Sequence, residues 1–231
     1  MKERLAVALD TADRDELTRW CRFFGPRVGV LKIGLEAFAR FGPVAVETAR
    51  SEASRVFLDL KLHDIPNTVA GAVRAARDLG VDLLTVHASG GLSMLEAAAE
   101  AARGDVKLLG VTLLTHLDES ELERLDLPGA PAERVERWAE LAARGGCAGV
   151  VSSPQEAAGL RARHAPPFLL VTPGVRPAGT AGRDDQRRVA TASQALSDGA
   201  DLLVVGRPLT RASDPAAALD TLLREMAGTA G

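Results

Sequence analysis

Cysteine, lysine and long apolar runs are all scarce in this chain of 231 residues. Its two cysteines, Cys21 and Cys147, form neither a CxxC pair nor a zinc-ligand spacing, so they read as small buried hydrophobes in a reducing compartment. No apolar stretch approaches the ~20 residues that a membrane-spanning helix needs. "MKERLAVALD" passes straight into a strand-like run, with no charged leader ahead of an apolar region. A cytoplasmic protein is expected. The net charge of −3 gives no broad basic field, which excludes nucleic acid or an anionic membrane as the main partner and makes any anion site local. HxH and HExxH are missing, so no metal site is expected, and no Ser-His-Asp set is evident.

The shortage of lysine is informative. Of 28 basic residues only four are lysine, so arginine carries most of the solvated positive charge. Yet Lys32, Lys61 and Lys107 sit in apolar, strand-like runs. An ammonium can have its pKa tuned and can release a proton, which a guanidinium practically cannot. Lysine in such places points to chemistry.

Eight short β-rich runs recur: 5–10, 28–34, 55–62, 81–88, 106–115, 148–153, 167–174 and 200–208. Between them lie stretches of helical periodicity, several closed by glycine, such as "TVAGAVRAARDLG" and "AERVERWAELAARGG". A terminal helix follows Ser213 or Asp214 as its cap. Near-continuous apolar strands alternating with helices indicate a parallel sheet buried on both faces. Eight βα units in one domain spanning 1–231 predict an α/β fold of the (β/α)8 TIM-barrel type. A doubly wound open sheet is the alternative, but "LDTADRDEL" after the first strand has no GxGxxG turn.

In such barrels the chemistry sits at the carboxyl ends of the strands. There this chain places Asp10 on strand one, Lys32 on strand two, Asp59 and Lys61 on strand three with Asp64 just beyond, His87 on strand four and Thr115 on strand five. Asp59 and Lys61 are two apart and so share a side of their strand. Asp10, Lys32, Asp59 and Lys61 form an alternating charge series at one mouth, and mutual pairing is the affordable form of buried charge. A static salt-bridge network is the plain reading, with Asp10 as a helix cap and His87 a structural histidine. The functional reading takes Lys61 as either a Schiff-base nucleophile or a general acid, and the flanking carboxylates favour the protonated form that donates. At the other end of the chain, Gly206 and Arg207 follow strand eight, where barrels often hold phosphate, and the long segment 174–188 adds Arg176 and Gln186.

"FLDLKLHDIPNT" closely resembles the DxKxxDIPNT signature of the orotidine 5'-phosphate decarboxylase family. "LAVALD", "LKIG", "VHASGG", "VTLLT", "TPGVRP", "DQRR" and "VVGRP" follow the family's order from residue 5 to 208. The resemblance implies a single-domain bacterial enzyme that converts orotidine 5'-phosphate to UMP with no metal or organic cofactor. It implies that Lys61 donates a proton to C6, with Lys32, Asp59 and Asp64 completing the charged array. Asp64 and Thr68 would serve the partner's site in a homodimer. Asp10 and Lys32 would hold ribose hydroxyls, Thr115 the pyrimidine, and Arg176, Gln186, Gly206 and Arg207 the phosphate. His116 departs from the family pattern, where Ser or Thr commonly follows "LT". Sugar-phosphate enzymes that use Mg2+ share the Asp-x-Lys-x-x-Asp core, but the "IPNT" continuation and the "DQRR" and "VVGRP" blocks favour the orotidylate enzyme. A nucleotide-binding barrel without catalysis is the remaining alternative.

Overall fold

The computed structural model describes residues 1–175 and 190–228, so Arg176 and Gln186 lie outside the described residues. Eight parallel strands close into a barrel in sequence order: β1 (Leu5–Leu9), β2 (Val30–Ile33), β3 (Val56–Leu62), β4 (Leu83–His87), β5 (Lys107–Val111), β6 (Gly149–Val151), β7 (Leu169–Thr172) and β8 (Leu202–Val205). β8 pairs back onto β1, with Leu5 opposite Leu203 and Val7 opposite Val205. The architecture is the (β/α)8 TIM barrel. Among the described residues, no helix is long and apolar enough to cross a membrane.

Strand alternation sorts the core into two bodies. Leu5, Val7, Leu9, Leu31, Ile33, Leu58 and Leu84 point outward and join the surrounding helices in the larger buried cluster. Ala6, Val30, Phe57, Leu83, Leu109, Val171, Leu202 and Val204 form a second cluster, which fills the barrel's interior. Cys21 and Cys147 are both free and buried, and burial pushes each thiol up to about 12. The helices begin where local chemistry dictates. Asp13 caps helix Arg14–Phe24 by accepting the N–H groups of Asp15 and Glu16, and Asp214 caps Pro215–Met226 in the same manner. The terminal cap is therefore Asp214. The cap after β1 is Asp13, which leaves Asp10 available to the barrel mouth.

Two aspartates staple the amino-terminal rim. Asp82 Oδ2 accepts the Val56 N–H at 2.7 Å, and Asp201 Oδ2 accepts the Leu170 N–H at 2.8 Å. Lys107 is exposed at that rim, at the start of β5, and takes no part in the site. Several strands are shorter than their apolar runs. β5 ends at Val111, so Thr115 belongs to the following loop, and β8 ends at Val205, so Arg207 opens the short helix Arg207–Thr210. Apolar residues continue past these strand ends because the loops pack against the barrel, as the buried side chains of Leu113 and Leu209 show.

At the β6–β7 seam, a Cβ on Gly149 would lie 2.2 Å from the Leu169 carbonyl oxygen. Replacing Gly149 by Ala forces these paired strands apart, and we expect a loss of about 1–3 kcal/mol of unfolding free energy. Urea denaturation checks it; an unchanged midpoint would show that the strands separate without cost.

Candidate active site

The inward positions of β2, β3 and β4 change from apolar to polar within two residues. Val30 is followed by Lys32, Phe57 by Asp59, and Leu83 by Thr85. The lower layer packs, and the upper layer forms a hydrogen-bonded charge chain. Lys32 Nζ lies 3.1 Å from Asp59 Oδ2 and 3.6 Å from Asp10 Oδ2. Lys61 Nζ donates to Asp59 Oδ1 at 2.9 Å. Side-chain exposure rises outward, from 7% at Lys32 through 13% at Asp59 to 30% at Lys61. Gly34 makes room for the arrangement: a Cβ there would fall 1.9 Å from Asp10 Oδ1.

Regular alternation leads to the expectation that Asp59 and Lys61 meet. The structure brings them together by a different backbone route. Leu58 faces Leu84 and Leu62 faces Val86, so Asp59, Leu60 and Lys61 of β3 stand opposite Thr85 alone. Lys61 adopts a left-handed backbone with φ of 51°, a conformation uncommon for a residue with a side chain. Its N–H donates to Thr85 Oγ1 at 2.9 Å, and that hydroxyl donates to Asp59 Oδ1 at 3.0 Å. The bulge folds the Lys61 ammonium back over the Asp59 carboxylate.

The charges set one another's ionisation. Burial raises the Asp59 pKa, but Lys32 and Lys61 outweigh it and lower the carboxyl from 3.8 to about 2. Burial likewise pulls Lys32 down, yet Asp59 and Asp10 outweigh it and hold the ammonium above the ordinary lysine value. Both groups are charged at neutral pH. The His87 ring lies 5.3 Å from that of His63, and burial, followed by the charges of His63 and Lys61, lowers the His87 pKa, so it is neutral there.

A cavity of about 730 Å3 opens at the carboxyl ends of the strands. It brings together Asp10, Lys32, Asp59, Lys61, Thr115, Gly206 and Arg207. Asp64 and Thr68 are exposed and do not line it: Asp64 accepts the Ile65 N–H at 2.6 Å, and Thr68 lies in helix Pro66–Asp78 beside Ile65, itself 67% exposed. His116 is also exposed and outside the cavity lining. The lining also includes residues that were not anticipated, among them Thr11 from the loop after β1, Glu16 and Trp20 from helix Arg14–Phe24, Glu36, Ser152 after β6, and Thr210 and Arg211. Thr85 was missed as well, although its place two residues after Leu83 on β4 was a usable signal. Among the described residues, no three His, Cys, Asp or Glu side chains gather as a metal ion would require.

A family model described as orotidine 5'-phosphate decarboxylase / HUMPS family matches residues 3–222. The chain belongs to that family. A Thermobifida fusca (strain YX) protein named orotidine 5'-phosphate decarboxylase is 50% identical, over 99% of this chain and 98% of its own length. One of the same name from Anaeromyxobacter sp. (strain K) is 52% identical over 94% of this chain and 95% of its own. The crystal structure of orotidine 5'-phosphate decarboxylase from Lactobacillus acidophilus superposes with a TM-score of 0.84 at 35% identity, covering 96% of this chain and 98% of that one.

The linked charges imply a stability that depends on pH. Because the folded Asp59 pKa is depressed, its contribution is full above the ordinary value of 3.8 and is lost as pH falls toward about 2. Replacing Asp59 by Ala leaves Lys32 with Asp10 as its remaining carboxylate neighbour among the described residues, and we expect a cost of about 3 kcal/mol near neutral pH. Urea denaturation of both proteins at pH 7 and pH 3 checks this; the gap between them should narrow at the lower pH.

Proposed function

We propose that this chain decarboxylates orotidine 5'-phosphate to UMP in pyrimidine nucleotide synthesis, with Lys61 as the proton donor and no metal or organic cofactor. The observation that carries this reading is the Lys61 ammonium at the cavity wall, held 2.9 Å from an ionised Asp59 in a chain that matches the family over nearly its full length.

Loss of CO2 breaks the bond at C6 and leaves an electron pair in the plane of the pyrimidine ring, where the π system cannot spread it. A cation aimed at C6 meets that charge as it forms, and a fixed ammonium needs little reorganisation to do so. Lys61 then gives its proton to C6 and recovers one from solvent. Asp59 accepts the hydrogen bond of Lys61 Nζ and so points it; Lys32 and Lys61 together keep Asp59 ionised. That ordering favours general-acid chemistry over Schiff-base formation, which needs the neutral amine.

The remaining assignments follow the family motif. Asp10 and Lys32 bind ribose hydroxyls, Thr115 the pyrimidine, and Gly206 and Arg207 the phosphate, together with Arg176 and Gln186. Binding energy at the phosphate, remote from C6, is available to lower the barrier at the reacting carbon. Asp64 and Thr68 serve the site of a second copy in a homodimer; their exposure beside Ile65, outside their own chain's cavity, supports that reading. The two free, buried cysteines support a reducing, cytoplasmic setting.

Purified protein mixed with orotidine 5'-phosphate should produce the ultraviolet change of a base losing its carboxylate, equally with and without excess chelator. Activity that chelator removes and Mg2+ restores would transfer the chain to the sugar-phosphate branch. Binding of the nucleotide without product would make it a non-catalytic barrel. Lys61→Ala should abolish turnover while calorimetry still detects UMP binding; near-normal turnover would end the proton-donor assignment. Arg207→Ala should cost about 2–4 kcal/mol in kcat/KM, as expected for loss of a charged contact to phosphate. An unchanged kcat/KM would remove Arg207 from the phosphate site.

A further inference from the structure

We propose that Thr85 is a positioning residue for proton transfer: its hydroxyl holds both the backbone and the carboxylate that fix where the Lys61 ammonium stands. The inference rests on Lys61 being the proton donor. Thr85 is fully buried and does not line the cavity, so it acts through its neighbours.

A hydroxyl has one hydrogen to donate and two lone pairs to accept with. Thr85 uses both capacities on the same two residues. Its Oγ1 accepts the Lys61 N–H at 2.9 Å and donates to Asp59 Oδ1 at 3.0 Å. That is the same carboxylate oxygen to which Lys61 Nζ donates at 2.9 Å. The contacts close a ring running from Lys61 N through Thr85 Oγ1 and Asp59 Oδ1 to Lys61 Nζ. Two oxygen atoms, Thr85 Oγ1 and Asp59 Oδ1, therefore tie the two ends of the lysine to each other.

The bulge explains why a hydroxyl is needed at this place. Asp59, Leu60 and Lys61 face only Thr85 across the β3–β4 ladder, so the regular backbone partners have run out. A buried N–H without a partner is costly, and a left-handed lysine persists only where its surroundings over-determine it. Thr85 meets both demands. Valine has nearly the same shape but would leave the Lys61 N–H unpaired and Asp59 with one donor fewer. Lys61 could then relax toward an ordinary extended backbone, which would swing its ammonium away from the carboxylate and from C6.

The test compares Thr85→Ser, Thr85→Ala and Thr85→Val with the native protein, using turnover of orotidine 5'-phosphate and UMP affinity by calorimetry. Serine and alanine differ at this position by one oxygen atom. The serine variant should stay within about threefold of native kcat, because it keeps the bonds to Lys61 and Asp59. The alanine and valine variants should fall about 10- to 100-fold in kcat, the rate equivalent of a lost hydrogen bond to a charged group. Their UMP affinity should change by less than about threefold, since the phosphate and ribose contacts remain. Equal kcat for the serine and alanine variants overturns the proposal, as does a loss confined to UMP affinity and KM. Should the valine variant not fold, the serine–alanine pair decides. Failure of both hydroxyl-free variants to fold makes the role structural and also overturns it. Lys61→Ala, assayed alongside, separates the two readings. Turnover surviving in that variant sinks the proton-donor assignment, whereas an inactive Lys61→Ala with equal serine and alanine variants sinks only the role of Thr85.

Discussion

The pairing of one buried carboxylate with two ammonium groups is the constraint on which the mouth of this barrel depends. Asp59 lies within ion-pair distance of both Lys32 and Lys61, and without it two partly or wholly buried cations would face each other. The arrangement is graded: Lys32 is the most enclosed, Asp59 intermediate and Lys61 the most open. The enclosed cation stabilises the anion, and the anion orients the open cation. A single exposed lysine would be mobile and strongly hydrated, and a single buried one would shed its proton. Here Lys61 is held by Asp59 at 2.9 Å while it still reaches the cavity.

The barrel makes that gradation possible because β2, β3 and β4 each carry two kinds of residue at successive inward positions. Val30, Phe57 and Leu83 belong to the closely packed lower layer, and Lys32, Asp59 and Thr85 stand one layer above them. The apolar layer closes the floor of the site, which strengthens every charge interaction above it. Stability and chemistry are therefore separated by a single step of the strand repeat.

This separation explains what could be read from sequence. The eight apolar runs announce eight strands because parallel strands are buried on both faces, and the barrel follows from their number and alternation with helices. Asp10, Lys32, Asp59 and Lys61 were legible because charge inside an apolar run is conspicuous. Thr85 was not, since a threonine in a strand is ordinary and its value comes from a bulge that lies in the pairing between two strands. Glu16 and Trp20 sit in an amphipathic helix, and nothing in the helical pattern tells which of its half-buried residues overhang the cavity. Strand ends were overextended at Thr115 and Arg207 because packed loops continue the apolar composition of the strands they follow. His116, which departs from the family pattern, proves to be exposed and outside the cavity lining, so that departure leaves the charge chain untouched.

Closure of the barrel gives the site its continuity. Pairing of β8 with β1 sets Gly206 and Arg207 beside Asp10, although they are almost the whole chain apart in sequence. Around the mouth the order then runs Arg207 after β8, Asp10 after β1, Lys32 on β2, Asp59 and Lys61 on β3, and Thr85 on β4. On the proposed reading this arc is also the order of the nucleotide's parts: phosphate, ribose, then the reacting base. An open sheet ending at β8 would leave the phosphate side far from the lysine side. In a closed barrel five neighbouring strands span both, so on that reading one continuously hydrogen-bonded sheet holds the phosphate contacts and Lys61 in a fixed relation, as positioning C6 against the lysine requires.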